Sequence, residues 1–81
     1  MTNLVEIIAK ALVENPDKVV VTELERDGEK VLRLQVGGSD MGKVIGKQGR
    51  IAKAIRTVVK AATPKDAPLV NVEIVSEDEI Q

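Results

Sequence analysis

The chain has 81 residues, with no cysteine, histidine or aromatic residue and a net charge of −1. These counts exclude a disulfide framework, a thiolate or imidazole metal site, a histidine general base and a nucleic-acid surface built on base–aromatic stacking. The length suits one domain, 1–81, whose core must come from Val, Ile, Leu and Ala, and a core this small rarely supplies more than roughly 3–5 kcal/mol of net stability.

Asn3 is placed to cap a first helix, with Glu6 closing a capping box. Leu4, Ile7, Ile8, Ala11 and Leu12 recur at helical spacing. Pro16 ends that helix by pushing Asn15 out of helical angles. Val19 to Glu25 is β-branched and reads as a strand. Val31 to Val36 alternates and reads as a second strand, with Leu32, Leu34 and Val36 on one face. Arg26-Asp27-Gly28-Glu29 joins them in a hairpin with two possible registers. A two-residue Asp27-Gly28 turn sets Glu23 beside Leu32. A three-residue loop with Gly28 as a bulge sets Thr22 beside Leu32 and Val20 beside Leu34, and is preferred because it keeps Glu23 out of the core.

Gly37-Gly38 breaks the second strand, and Ser39 is expected to cap a short helix over 40–45. After Gly46-Lys47-Gln48-Gly49 a longer helix runs to Ala62, with Ile51, Ile55, Val58, Val59 and Ala62 inward. Residues 65–68 link it to a third strand over 69–75, with Val70, Val72 and Ile74 inward. Residues 76–81 form an acidic tail expected to fray. The order is α-β-β-α-α-β, an α+β fold. A right-handed crossover makes strands two and three parallel in a three-stranded mixed sheet, with three helices packed on one face. The other face, with Val31, Arg33, Gln35, Asn71 and Glu73, is expected to be largely solvated.

Charge is unevenly spread. From Met41 to Pro64 the chain carries Lys43, Lys47, Arg50, Lys53, Arg56 and Lys60 and no acid, a stretch of +6. The difference from the total leaves −7 elsewhere. Such a gathering suits a polyanion. Gly46 and Gly49 sit inside it, where a backbone free of Cβ atoms lets another chain come close and a helix start favours a phosphate. Gly37 to Lys43 imitates the start of a P-loop, but Val44 stands where a Ser or Thr must reach magnesium. Gly42, Gly46 and Gly49 lack the dinucleotide-binding spacing. Glu23, Glu25, Asp27 and Glu29 lack the EF-hand spacing and read as solubilising charge. No catalytic pair, cofactor site, metal site or small-molecule site is expected. Met1 is followed by no signal-like run and no segment reaches membrane-span length, so a cytoplasmic protein is expected.

Val44-Ile45-Gly46-Lys47-Gln48-Gly49-Arg50 resembles the core of a KH domain, a module in which a GXXG loop clamps four backbone nucleotides. The element order resembles the type II, prokaryotic KH arrangement. The whole chain resembles the small single-KH bacterial proteins of the KhpA (YlqC-like) family, a likeness carried mostly by Met41 to Arg56. The resemblance implies a non-catalytic, single-stranded RNA-binding protein of the bacterial cytoplasm, acting as an RNA chaperone or post-transcriptional regulator. It also implies a homodimer, or a heterodimer with a larger KhpB (Jag-like) protein, and a link to cell elongation and division. Gly46 and Gly49 would admit the RNA backbone, and Lys47, Gln48 and Arg50 would meet its phosphates. Lys43 and Lys53 would extend the positive track, and Ile45 would line a groove for about four unstacked bases. Lys53, Arg56 and Lys60 read equally well as a solvated helix face. The alternative is a protein-interaction subunit with weak or incidental RNA affinity. One position departs from the general KH pattern: Ala52 stands where a bulky aliphatic is common, and the bulky residue is Ile51.

Overall fold

A computed structural model describes residues 2–79. Its elements are α1 (Thr2–Leu12), β1 (Val20–Arg26), β2 (Glu29–Val36), α2 (Met41–Ile45), α3 (Arg50–Ala62) and β3 (Val70–Ser76). One-turn 3-10 segments lie at Pro16–Lys18, Gly38–Asp40, Lys47–Gly49 and Glu77–Glu79. The α-β-β-α-α-β order expected from the sequence is present. The sheet runs β1-β2-β3, with β1 antiparallel and β3 parallel to the central β2.

Alternation along β2 sends Leu32, Leu34 and Val36 to one face, where all three are almost wholly buried. The helices supply the other half of the core. Val5 and Ala9 from α1, Val44 from α2, and Ile55 and Val59 from α3 join them, with Val72 from β3. Burial of each larger aliphatic side chain is worth about 1.5–3 kcal/mol.

Both long helices are turned relative to the sequence expectation. Seven of the eleven residues of α1 are apolar, more than one face holds, so periodicity alone does not choose the face. Val5 and Ala9 point inward, whereas Ile7 is 68% exposed. The helix already includes Thr2, so Asn3 is not its cap, and Glu6 forms a salt bridge with Lys10 at 2.8 Å rather than closing a box. On α3 the buried side chains are Ala52, Ile55 and Val59, while Val58 and Ala62 face outward.

The hairpin adopts the register that the sequence reading set aside. Glu23 pairs with Leu32, through a two-residue turn in which Asp27 and Gly28 both have positive φ, 53° and 81°. That geometry matches strand twist, and Asp-Gly favours it. Glu23 escapes burial because β1 is an edge strand: its side chain stays 46% exposed and meets Lys30 at 3.3 Å. The open face is also drier than expected. Val31 is buried beside its cross-strand neighbours Leu24 and Asn71. Arg26 and Arg33 both bond Glu73, at 3.2 and 3.1 Å, and Asn71 donates to Glu29 at 2.7 Å. The hydrogen bond from Arg26, then that from Arg33, hold the Glu73 carboxyl below its usual range against the opposing effect of desolvation.

The entry to α2 is fastened by a residue the sequence reading used only as a helix boundary. Ser39 lies within the Gly38–Asp40 turn, and no side chain caps α2. Asp40 instead turns its buried carboxylate to the end of α1. It accepts bonds from the backbone N–H groups of Glu14 and Asn15, both at 3.1 Å, and from Asn15 Nδ2 at 3.2 Å. The Glu14 bond foremost, with the two Asn15 bonds and the nearby Lys43 charge, lowers its pKa despite desolvation.

The tail expected to fray is structured as far as the description reaches. Ser76 ends β3 and is buried, Asp78 N–H donates to Ser76 Oγ at 3.1 Å, and Glu77 pairs with Lys18 at 3.4 Å. Ile80 and Gln81 lie outside the described residues.

Candidate nucleic-acid interface

The loop between α2 and α3 needs glycine at two places for two different reasons. Gly46 has φ 77° and ψ 176°, a region open in practice only to glycine. A Cβ there would also lie 2.6 Å from Ile51 Cγ1 and 3.0 Å from Ile51 N. Ile51 therefore packs directly over Gly46, which makes this glycine part of the fold. Gly49 has φ 75° and ψ 13°, but a Cβ there would meet nothing within 4 Å. Its bare side faces open space. Between them Gln48 is also left-handed, with φ 57° and ψ 26°.

The loop closes with its own backbone. Gly46 N–H donates to Gly42 O at 2.9 Å, Gly49 N–H to Gly46 O at 3.2 Å, and Arg50 N–H to Lys47 O. The Gly49 and Arg50 N–H groups, at the helix start expected to favour a phosphate, are thus used inside the turn. The outward surface is carried by side chains. Lys47, Gln48, Arg50 and Lys53 are all exposed, and Arg50 Nη2 donates to Gln48 Oε1 at 3.3 Å across the tip.

Ile45 is half-buried and stands outside the core cluster, whereas its neighbour Val44 is wholly buried. One side of α2 thus anchors the helix and the other leaves an aliphatic surface beside the loop. Ala52 is 5% exposed, so the position that departs from the general KH pattern is filled closely by its neighbours. Ile51 takes the bulky role by covering Gly46.

The ion pairs divide the chain at this loop. Among the described residues, Lys10, Lys18, Arg26, Lys30, Arg33 and Lys43 each have a carboxylate partner. Lys47, Arg50, Lys53, Arg56, Lys60 and Lys65 take part in no ion pair among the described residues. The chain's 12 basic residues therefore fall into a paired half up to Lys43 and an unpaired half from Lys47 onward. Lys43, expected to belong to the phosphate track, instead reaches Glu14 at 2.6 Å, across to the end of α1. Lys65 joins the unpaired set and was missed by the sequence reading. The signal was available, since the acid-free run extends one residue past Pro64 to Lys65 before Asp66.

No group of acidic residues that could hold a metal ion occurs among the described residues. The arrangement offers a bare, positively charged turn backed by an aliphatic shelf. The family model described as KhpA/KhpB, KH domain matches residues 2–74.

The chain belongs to the KhpA/KhpB KH-domain family.

The KH match spans the loop, all three helices and most of β3. Relatives in the same family agree over nearly the whole length. The chain is 60% identical to the RNA-binding protein KhpA of Clostridium perfringens over 75 residues, 93% of this chain and 100% of that one. It is 49% identical to the RNA-binding protein KhpA of Aquifex aeolicus over 74 residues, 91% of this chain and 94% of that one. It is 48% identical to the protein of the same name from Listeria monocytogenes over 75 residues, 93% and 99% of the two chains. No solved structure gives a significant match.

Proposed function

We propose that this chain is a single KH domain that binds single-stranded RNA without catalysis, clamping the phosphate backbone at the Gly46–Gly49 loop. The observation that carries the reading is the division of charge: among the described residues every basic residue from Lys47 onward is unpaired, beginning at a turn whose second glycine faces open space. The relatives named RNA-binding proteins support it. Lys47, Gln48 and Arg50 meet phosphate oxygens, and Gly49 admits the backbone. Gly46 shapes the turn from inside, and Ile45 supports unstacked bases. Lys53 continues the track along α3. Lys43, neutralised by Glu14, contributes less than its place in the sequence suggests. The site serves as an RNA chaperone or regulator in the bacterial cytoplasm, with a role in cell elongation and division.

The deciding experiment changes Lys47 and Gln48 together to Asp, leaving both glycines alone. Asp tolerates the left-handed geometry at position 48, so the fold survives while two carboxylates face the phosphates. RNA affinity is expected to fall about tenfold or more, the equivalent of about 1.4 kcal/mol, with unchanged circular dichroism. Undiminished affinity would sink the clamp.

A second reading is favoured by one observation. Ile7 on α1 and Val58 on α3 leave aliphatic surface exposed on the helical layer, at 68% and 40%. A second copy of this chain, or a KhpB (Jag-like) partner, would cover it, and in that case protein pairing is the main role and RNA affinity is incidental. Sedimentation at several concentrations, with Val58→Asp as the disrupting variant, tests this.

A further inference from the structure

Between the core and the loop stands α2, a helix of only 5 residues, too short to hold a place by itself. Its position is set from outside. Val44 is wholly buried and fixes its depth, and Met41 packs against the same core. Apolar packing has no direction of its own, so these two anchors leave the tilt of the helix open. The residue before the helix, Asp40, is 1% exposed and carries the polar contacts that close that freedom. The loop begins at the other end of α2, at Gly46. A tilt of α2 therefore moves the loop.

Two sets of contacts, running in opposite senses, join α2 to the end of α1. Val13 N–H closes the last turn of α1 on Ala9 O at 3.1 Å. The next two N–H groups, of Glu14 and Asn15, each meet one oxygen of Asp40 at 3.1 Å, and Asn15 Nδ2 adds a third bond at 3.2 Å. In the other direction, the Glu14 carboxylate crosses to Lys43 on α2 at 2.6 Å. Asp40 therefore also fixes the backbone from which Glu14 reaches Lys43. Each hydrogen bond needs its carboxylate oxygen at one distance and angle, and backbone donors cannot swing away as side chains do. The carboxylate is gripped in one orientation, and the first turn of α2 with it.

We infer that Asp40 is a positioning residue for RNA binding: through its bonds to Glu14 and Asn15 it sets the tilt of α2, and so holds the Gly46–Gly49 turn and Ile45 in the pose that a strand requires. The inference rests on the clamp reading above. Asp40 acts through the loop and touches no RNA, because its side chain is buried against the end of α1. Charge gives the inference a sign. A carboxylate near a phosphate site repels the phosphate, so on charge alone its removal strengthens binding. A carboxylate that positions the site weakens binding when it is removed.

The test uses Asp40→Asn, which keeps the shape and removes the charge. Its amide offers one oxygen where the carboxylate offers two, and its NH2 group opposes the Asn15 donors. Affinity for a uridine oligomer is measured at a temperature where denaturation shows every variant folded. The amide NMR signals of Gly46 and Gly49 are read without RNA. Asp40→Asn is expected to bind at least about fivefold more weakly, the lower end of coupling between linked sites, with both glycine signals displaced. Gly28→Ala, a destabilised control at the opposite end of β2 from α2, is expected to change neither reading. Asp40→Asn added to the chain carrying Lys47→Asp and Gln48→Asp is expected to cost nothing further, since a clamp already lost cannot be lost again. Affinity at or above that of the unaltered chain overturns the inference and leaves the clamp standing. An equal loss in Gly28→Ala, or a full further loss in the combined variant, also overturns it, because the effect then bypasses the loop. If Lys47→Asp with Gln48→Asp binds as the unaltered chain does, the clamp falls and the inference with it. Should Asp40→Asn fail to fold, Asn15→Ala, which deletes only the bond from Asn15 Nδ2, takes its place and is judged by the same outcomes.

Discussion

Ile51 lies over Gly46 so closely that a methyl group added to the glycine would fall 2.6 Å from Ile51 Cγ1. At Gly49, three residues on, an added methyl group would meet nothing. The two glycines of the loop therefore predict different outcomes for the same substitution. Gly46→Ala meets both a backbone region closed to alanine and a collision, and is expected to cost about 3 kcal/mol or more in urea unfolding. Gly49→Ala meets only the left-handed backbone penalty, about 1–2 kcal/mol. If Gly49 admits the RNA backbone as proposed, Gly49→Ala is expected to lower RNA affinity, read in a binding titration, by more than its loss of stability explains.

Charge removal offers a second comparison. Lys47→Gln and Lys53→Gln are each expected to reduce the salt slope of RNA binding by about 0.7, the share of one phosphate on a single strand. Lys43→Gln is expected to change it less, because Glu14 already holds that ammonium. A titration over a salt series reads all three. Equal effects at Lys43 and Lys47 would show that the ion pair opens on binding.

Asp40 sets an acid limit. Its carboxyl sits below the ordinary value of 3.8 because backbone N–H groups from Glu14 and Asn15 stabilise the charged form. A carboxyl depressed in the folded state contributes its full stability above the unfolded value and loses it as the pH falls through the folded one. The contribution is therefore intact at neutral pH and disappears below about pH 4. Asp40→Asn is expected to lower Tm at pH 7 and to flatten the acid end of the stability profile between pH 5 and the acid limit. A calorimetric series over pH is the measurement.

The hairpin turn gives the fourth expectation. Gly28 has φ 81° with open space around it, so Gly28→Ala carries a backbone cost of about 1 kcal/mol and no collision. Asp27→Asn keeps a residue suited to positive φ and is expected to be neutral or slightly stabilising. Chemical denaturation of both variants decides it.

What the sequence conveys about this molecule is mostly what neighbours along the chain decide. The Gly46–Gly49 turn, the helices beside it and the alternation of β2 depend on local geometry and are legible. The Asp27-Gly28 turn was legible too, and its preference outweighed the wish to keep Glu23 away from Leu32. A residue opposite a core position is not itself core on an edge strand, where Glu23 meets Lys30 at the rim. The facing of α1 was not legible, since Ile7 and Val5 are equally apolar and only the sheet beneath chooses between them. Asp40 was hidden for a different reason. Two of its bonds come from backbone N–H groups 25 and 26 residues away, and backbone groups leave no mark in a sequence. The pairing of Lys43 was hidden by distance alone, because its partner Glu14 lies on the far side of the hairpin in chain order.

The partition of the basic residues into a paired and an unpaired half gives the molecule a direction. A polyanion approaching most of the surface meets carboxylates, or lysines and arginines already neutralised by them, and is turned away. Under the proposed clamp, the side formed by the loop and α3 is expected to draw it in. The overall negative charge is then an orienting field rather than an obstacle. It predicts that added salt slows the capture of RNA more than it hastens release.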